Sequence, residues 1–198
     1  MGRNSIKKVR NSNVKKRELY IQKLTETFKQ HGLKKYTMDS IAAELNVTKA
    51  TLYHYFSSKD EMVEISLMKL LGQLSAFENI AKNNELDFEV RFYKMLELFS
   101  TVFVDISNLY LADLQDEYPL LWQQVQLFTD YVLKVLTNFY NDGKNAGIFK
   151  DVNTAILVIS DKMFLNVISD IDFMQKNNLT IRTAFDEYFR MKCFGFLK

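Results

Sequence analysis

The segment that most constrains this chain is TMDSIAAELNVTKATLYHYFSSKDEMV, residues 37–63. Thr37 and Thr48 each carry a hydroxyl that can accept a free backbone N–H and so start a helix. After Thr37, the residues Ile41, Ala42 and Leu45 fall on one helical face. Asn46 follows, and Asn tolerates the left-handed backbone that ends a helix. After Thr48, Leu52 and Tyr55–Phe56 turn inward, which leaves Lys49, Ala50, Thr51, Tyr53 and His54 pointing out. Ser58 opens a further helix, with Glu61 three residues on to complete a capping box. The spacing therefore predicts two short helices joined by a tight turn, then a capped third helix.

Two helices in this relation form a helix-turn-helix, whose second helix lies in the major groove of DNA. The segment also resembles the N-terminal DNA-binding domain of the tetracycline-repressor (TetR) family of transcriptional regulators. Thr37, Ile41–Ala42, Val47–Thr48, Leu52–Tyr53, Tyr55–Phe56, Lys59 and Glu61 carry the resemblance, and the run LYHYFSSKDEMV is its most specific part. It extends from Glu18 to Val63; beyond that, only length and helical character agree. Asn46 stands where the family usually has Gly, a mild substitution because Asn reaches the same backbone geometry.

Charge is divided along the chain. Residues 1–60 hold 13 Lys/Arg against 5 Asp/Glu, a balance of +8, while the remainder holds 13 against 19, a balance of −6. A basic N-terminal third beside an acidic remainder is the footprint of a nucleic-acid-binding head on a non-binding body. A hydrophobic content of 47% is enough for a substantial core. No apolar run approaches the roughly 20 residues that span a bilayer. The polar, basic start of the chain lacks the apolar stretch of a secretory signal. A single Cys, Cys193, leaves no intrachain disulfide and suits a reducing cytoplasm.

One proline and six glycines predict an all-α chain. Residues 1–14 read as a basic flexible arm, either touching DNA or serving as a solubilising tail. Residues 15–60 read as the helix-turn-helix domain, its first helix carrying Leu19, Ile21, Leu24 and Phe28 and ending at Gly32. Residues 61–198 read as an effector-binding and dimerisation domain. Its expected helices run from Ser58 to about Ala81 with a bend at Gly72, then Phe88 to Asn108, Leu120 to Tyr140, Thr154 to Phe173, and Thr180 to Phe194. The expected total is about nine, three in the head and six in the body.

The candidates for DNA contact are Thr37, Thr48, Lys49, Ala50, Thr51, Tyr53, His54 and Lys59. A recognition helix enters the groove N-terminus first, so Thr48 to Thr51 and His54 are placed to read base edges. Lys49 suits guanine O6 or N7, and Ala50 a thymine methyl. Tyr53 and Lys59 suit phosphate oxygens, and helix N-termini such as that at Thr37 attract phosphate. Each is also an ordinary surface side chain, and only the helix-turn-helix context raises it above that.

The body carries more aromatic bulk than its helices need for a core, which suits an apolar cavity between them. The resemblance implies a small effector there, apolar or aromatic, with Phe103, Tyr110, Trp122 and Tyr131 as the chosen lining. Asp113, Asp116 and Glu117 form an acidic cluster that is either a cation-binding feature or a solvated helix end. Leu157, Phe164 and Ile168 on one late helix, with Phe185, Tyr188 and Phe189 on the next, are apolar on more sides than one partner covers. That predicts a two-fold homodimer interface, and the resemblance implies the same four-helix arrangement.

No Gly-rich phosphate loop, nucleophile elbow or metal-ligand spacing is visible. Neither His31 nor His54 has a Glu three residues before it, as a di-iron bundle requires. The expectation is therefore not an enzyme and has no catalytic residue, no metal and no cofactor. It is a DNA-binding transcriptional regulator, a homodimeric repressor on a near-palindromic double-stranded operator, released by a small effector, with no membrane partner. An accessory DNA-binding or partner-binding protein without an effector is the alternative.

Overall fold

The computed structural model describes the backbone of residues 3–196 apart from 104, 149 and 151, and the side chains of residues 13–192 apart from those three and 171. The regular elements among the described residues are all helices. The head comprises α1 (Arg3–His31), α2 (Met38–Glu44) and α3 (Lys49–Tyr55). The body comprises α4 (Lys59–Gln73), α5 (Ala76–Ala81), α6 (Phe88–Phe103), α7 (Asn108–Glu117), α8 (Pro119–Asn145), α9 (Thr154–Val167), α10 (Ile171–Lys176) and α11 (Ile181–Phe196). No single helix among the described residues is long and apolar enough to cross a membrane.

The head's local signals act as expected. Thr37 accepts the Ser40 N–H, and the Ser40 hydroxyl in turn accepts the Thr37 N–H at 2.8 Å, closing a capping box. Asn46 has φ 56°. There the Val47 N–H donates to the Ala42 carbonyl and the Asn46 N–H to the Ala43 carbonyl, the paired bonds of a Schellman turn. Asn178 repeats this geometry after α10, with φ 54° and the Leu179 N–H on the Met174 carbonyl. At the start of α4 the Ser58 hydroxyl accepts the Glu61 N–H, but the reciprocal bond differs from a standard box. Glu61 accepts from the Ser57 N–H at 2.6 Å and the Ser57 hydroxyl at 2.8 Å.

Four boundaries differ from expectation. Residues 3–14, expected as a flexible arm, continue α1: no Pro or Gly lies between Arg3 and His31 to stop it. The helix from Ser58 breaks at Leu74–Ser75, just past Gly72, and restarts as α5. The helix expected from Phe88 to Asn108 ends at Phe103, and α7 follows in a stretch given no helix, started by Ser107, whose hydroxyl accepts the Tyr110 N–H at 3.2 Å. The Thr154–Phe173 helix is two, because Asp170 accepts the Phe173 N–H and starts α10 afresh. Eleven helices result among the described residues.

One continuous core links head and body, from Ile21, Leu24 and Phe28 through Leu52, Phe56 and Met62 to Phe92, Tyr140 and Phe185. α1 packs along α4 and against α7, and α8 packs on α4, α5, α7 and α9. Beneath the late helices lies a buried polar knot. Lys192 pairs with Asp161 and donates to the Tyr140 hydroxyl and Leu157 carbonyl; Tyr140 and Tyr188 both donate to Asp161. Isolated, such charges would cost far more to bury than the satisfied network does. The knot fixes the register of α11 against α8 and α9.

Candidate nucleic-acid interface and body cavity

The two N-caps of the head, Thr37 and Thr48, are both exposed at the surface. Along α3, Leu52 is fully buried, while Lys49, Ala50, Tyr53 and His54 are exposed and Thr51 is half-buried. The helix therefore shows one continuous solvent face to a groove, as the spacing predicts. The Thr48 hydroxyl accepts the Thr51 N–H at 3.1 Å. His54 lies edge-on to Tyr55, which in turn meets Tyr20 edge-on at 5.3 Å.

Two features of this face have no simple sequence signal. Lys49 is paired with Asp39 of α2 at 2.9 Å, and that hydrogen bond raises its pKa from the ordinary lysine value. Its ammonium bridges the two helices of the motif. Arg17 on α1 spans the far end: it donates to the Tyr55 carbonyl at 3.2 Å, pairs with Glu61 at 2.7 Å and covers the Phe56 ring. The Glu61 carboxyl is held below its usual range, first by the Ser57 N–H, then by the Ser57 hydroxyl, with Arg17 also contributing. Thus α3 is clamped at its C-terminus by α1 and α4. The i to i+44 spacing of Arg17 and Glu61 carries no local signature.

Lys59 stands apart from the other contact candidates. It is half-buried, with its ammonium 6.0 Å from the centre of the Tyr118 ring, so its charge is shared with the body. Burial, then the neighbouring Asp60 carboxylate, pushes the Tyr118 hydroxyl well above its ordinary pKa.

Head and body meet at α7. Of the acidic cluster there, Asp116 and Glu117 are exposed at the end of α7, while Asp113 engages the head. Asp113 accepts the Leu33 N–H at 2.6 Å and the Lys34 N–H at 2.8 Å, and the Ser107 N–H donates to the Lys29 carbonyl at 2.7 Å. Lys34 also lies 3.9 Å from Glu117.

In the body, an apolar cavity of about 80 Å³ lies between α4, α6, α7 and α8, with Leu165 of α9 at one side. Of the four expected lining residues, Phe103 and Tyr110 belong to it. Trp122 lines a separate, open polar cleft of about 820 Å³, which shares Val125, Thr129 and Leu165 with the cavity. Tyr131 is at the surface, where its hydroxyl donates to Glu78 at 2.5 Å. Both misplaced aromatics lie on α8, whose buried stripe begins only at Val132.

The six expected interface residues face mainly inward. Leu157, Ile168, Phe185 and Phe189 are buried in their own chain, and Phe164 and Tyr188 stack at 4.1 Å. The exposed apolar side of α9 is Ile156, Ile159, Met163 and Val167, with Met191 exposed on α11. These lie three or four residues apart along α9 and so share one face.

A capped helix-turn-helix on a helical body with an internal cavity defines a DNA-binding transcription regulator. The model of the bacterial regulatory proteins of the tetR family matches residues 21–64, the stretch that holds the helix-turn-helix. An uncharacterized HTH-type transcriptional regulator of Bacillus subtilis, YvaF, is 26% identical over 161 residues, covering 79% of this chain and 84% of that protein. IcaR, the negative transcriptional regulator of the biofilm operon icaADBC in Staphylococcus aureus, is 24% identical over 147 residues, covering 70% of this chain and 76% of its own. A putative transcriptional regulator from Saccharomonospora viridis, solved in complex with choline, shares the fold at a TM-score of 0.69 and 13% identity, over 93% of this chain and 99% of that one.

Proposed function

We propose that the protein is a homodimeric repressor whose two heads occupy successive major grooves of a near-palindromic operator, and that a small molecule in the body releases it. The observation that carries the reading is the exposed face of α3 from Thr48 to His54, backed by a fully buried Leu52. Thr48, Lys49, Ala50, Thr51 and His54 read the groove, while Thr37, Tyr53 and Lys59 meet phosphates. Similarity to IcaR supports repression as the sign of control.

Dimerisation is supported by Ile156, Ile159, Met163, Val167 and Met191, an apolar face that a second copy would cover. Two-fold pairing through one such patch is the common solution for soluble oligomers. The inward residues Leu157, Phe164, Ile168, Phe185, Tyr188 and Phe189 shape that face from beneath.

Release by an effector is supported by α7, which lines the cavity with Tyr110, Leu111 and Leu114 and holds the head through Asp113. A ligand that favours a different position of α7 lowers DNA affinity by its differential affinity for the two states. At about 80 Å³ the cavity is smaller than the roughly 300–1,000 Å³ of typical ligand pockets, so binding widens it. That small size also favours a second reading, a regulator with no small effector.

Selection of random duplex DNA by the purified protein tests the first part. Enrichment of an inverted repeat with half-sites about one helical turn apart supports a dimer on an operator. Salt-sensitive binding without enrichment overturns sequence-specific regulation.

A further inference from the structure

Tyr110 is 2% exposed, lines the cavity, and its hydroxyl has no hydrogen-bond partner among the described residues. Every other side chain around the cavity is apolar except Thr129, whose hydroxyl already donates to the Val125 carbonyl at 2.9 Å. No charged side chain among the described residues lines it. A buried hydroxyl without a partner is costly, and native structures keep few of them. The cavity therefore offers one strong donor in an apolar, partly aromatic surround, and no cationic side chain among the described residues to compensate an anion.

We propose that this cavity takes an uncharged, mostly apolar ligand bearing a single hydrogen-bond acceptor, such as a ketone, ester or ether oxygen, and that Tyr110 Oη donates to it. The inference rests on the effector reading above and adds the chemical class of the ligand and the residue that selects it. A carboxylate is excluded because no cation among the described residues lines the cavity, and a bare tetraalkylammonium because it offers the Tyr110 hydroxyl no acceptor. Phe99, Phe103 and Phe128 supply flat walls that suit a ring or a planar carbonyl. The open cleft on the far side of Val125, Thr129 and Leu165 gives the ligand its way in.

The test uses the full chain and two probes of nearly equal shape, acetophenone and ethylbenzene, which differ by the carbonyl oxygen. Dissociation constants are measured calorimetrically for the wild type, Tyr110→Phe and Thr129→Val. Tyr110→Phe is expected to weaken acetophenone about threefold to tenfold and to leave ethylbenzene within about twofold. Thr129→Val, which removes a hydroxyl that is already satisfied, is expected to leave the ratio between the probes unchanged. If both probes respond alike to Tyr110→Phe, the acceptor claim falls while the cavity stands as a ligand site. If neither probe binds the wild type, the acceptor claim and the cavity reading fall together, and the regulator without an effector takes their place.

Discussion

Asp113 and Gly32 are matched across the junction of head and body. Gly32 ends α1 at φ +76°, and a Cβ placed on it would lie 2.6 Å from Asp113 Oδ2, the oxygen that accepts the Leu33 and Lys34 N–H groups. The absence of a side chain at one residue lets the carboxylate of the other reach two backbone donors. Gly32→Ala should lose about 1–2 kcal/mol for the left-handed backbone, and more for the displaced carboxylate. Asp113→Ala should lose about 1–3 kcal/mol by leaving those N–H groups without their acceptor. Urea denaturation of the two single variants and the double variant checks this. A double variant less destabilised than the sum of the singles is expected, because both act on one contact; strict additivity would separate them.

Lys49, a proposed groove contact, is paired with Asp39 in the free head. Asp39→Asn frees the ammonium and removes a negative charge from the binding face. Affinity for any duplex at low salt should rise roughly twofold to fivefold, and the gain should shrink as salt is added. Fluorescence anisotropy across a salt series measures it. In a Lys49→Ala background the same change should gain less; an equal gain there would show that the ion pair does not compete with DNA.

The proposed dimer is tested on its exposed face rather than on its core. Ile159→Glu with Met163→Glu should give a folded monomer, with unchanged helical content and half the mass in light scattering. Phe189→Ala, by contrast, removes a buried ring and should cost about 3–5 kcal/mol without addressing the interface directly. A double-Glu variant that remains a dimer would move the interface elsewhere.

Acid should loosen the clamp on α3. The Glu61 carboxyl titrates below its ordinary value in the fold, so its stabilising effect is complete above the unfolded Glu pKa of about 4.3. That contribution is lost as pH falls through the lower folded value. Thermal melts of wild type and Glu61→Gln should therefore differ most at neutral pH and converge toward pH 3. A constant difference across that range would assign the effect of Glu61 to packing instead of charge.

Much of the head was legible because its signals are local. Thr37, Asn46, Thr48 and Ser58 each act on backbone groups within four residues, and a hydroxyl or a left-handed Asn does this in any tertiary setting. The inward and outward sides of α3 follow equally from the helical period. The start of α7 at Ser107 carried the same kind of cap signal, but it lies inside the helix expected over Phe88 to Asn108.

What only the tertiary structure decided is which side of each body helix faces in. Ile156, Leu157, Ile159, Met163 and Phe164 are all apolar, and periodicity cannot rank faces on a helix that is apolar almost all round. Packing on α8 and the Lys192–Asp161 knot turn Leu157 inward and leave Ile159 and Met163 outside. Likewise Tyr110 and Tyr131 are the same residue type in adjacent helices. One is buried at a cavity with its hydroxyl unpartnered, and the other hydrogen-bonds Glu78 at the surface. Sequence alone therefore determined the helix-turn-helix, the caps and the division of charge, because those depend on neighbours along the chain. The cavity, the exposed face and the Asp113 contact depend on residues far apart along the chain, 80 positions in the case of Leu33 and Asp113, and only the folded chain brings those together.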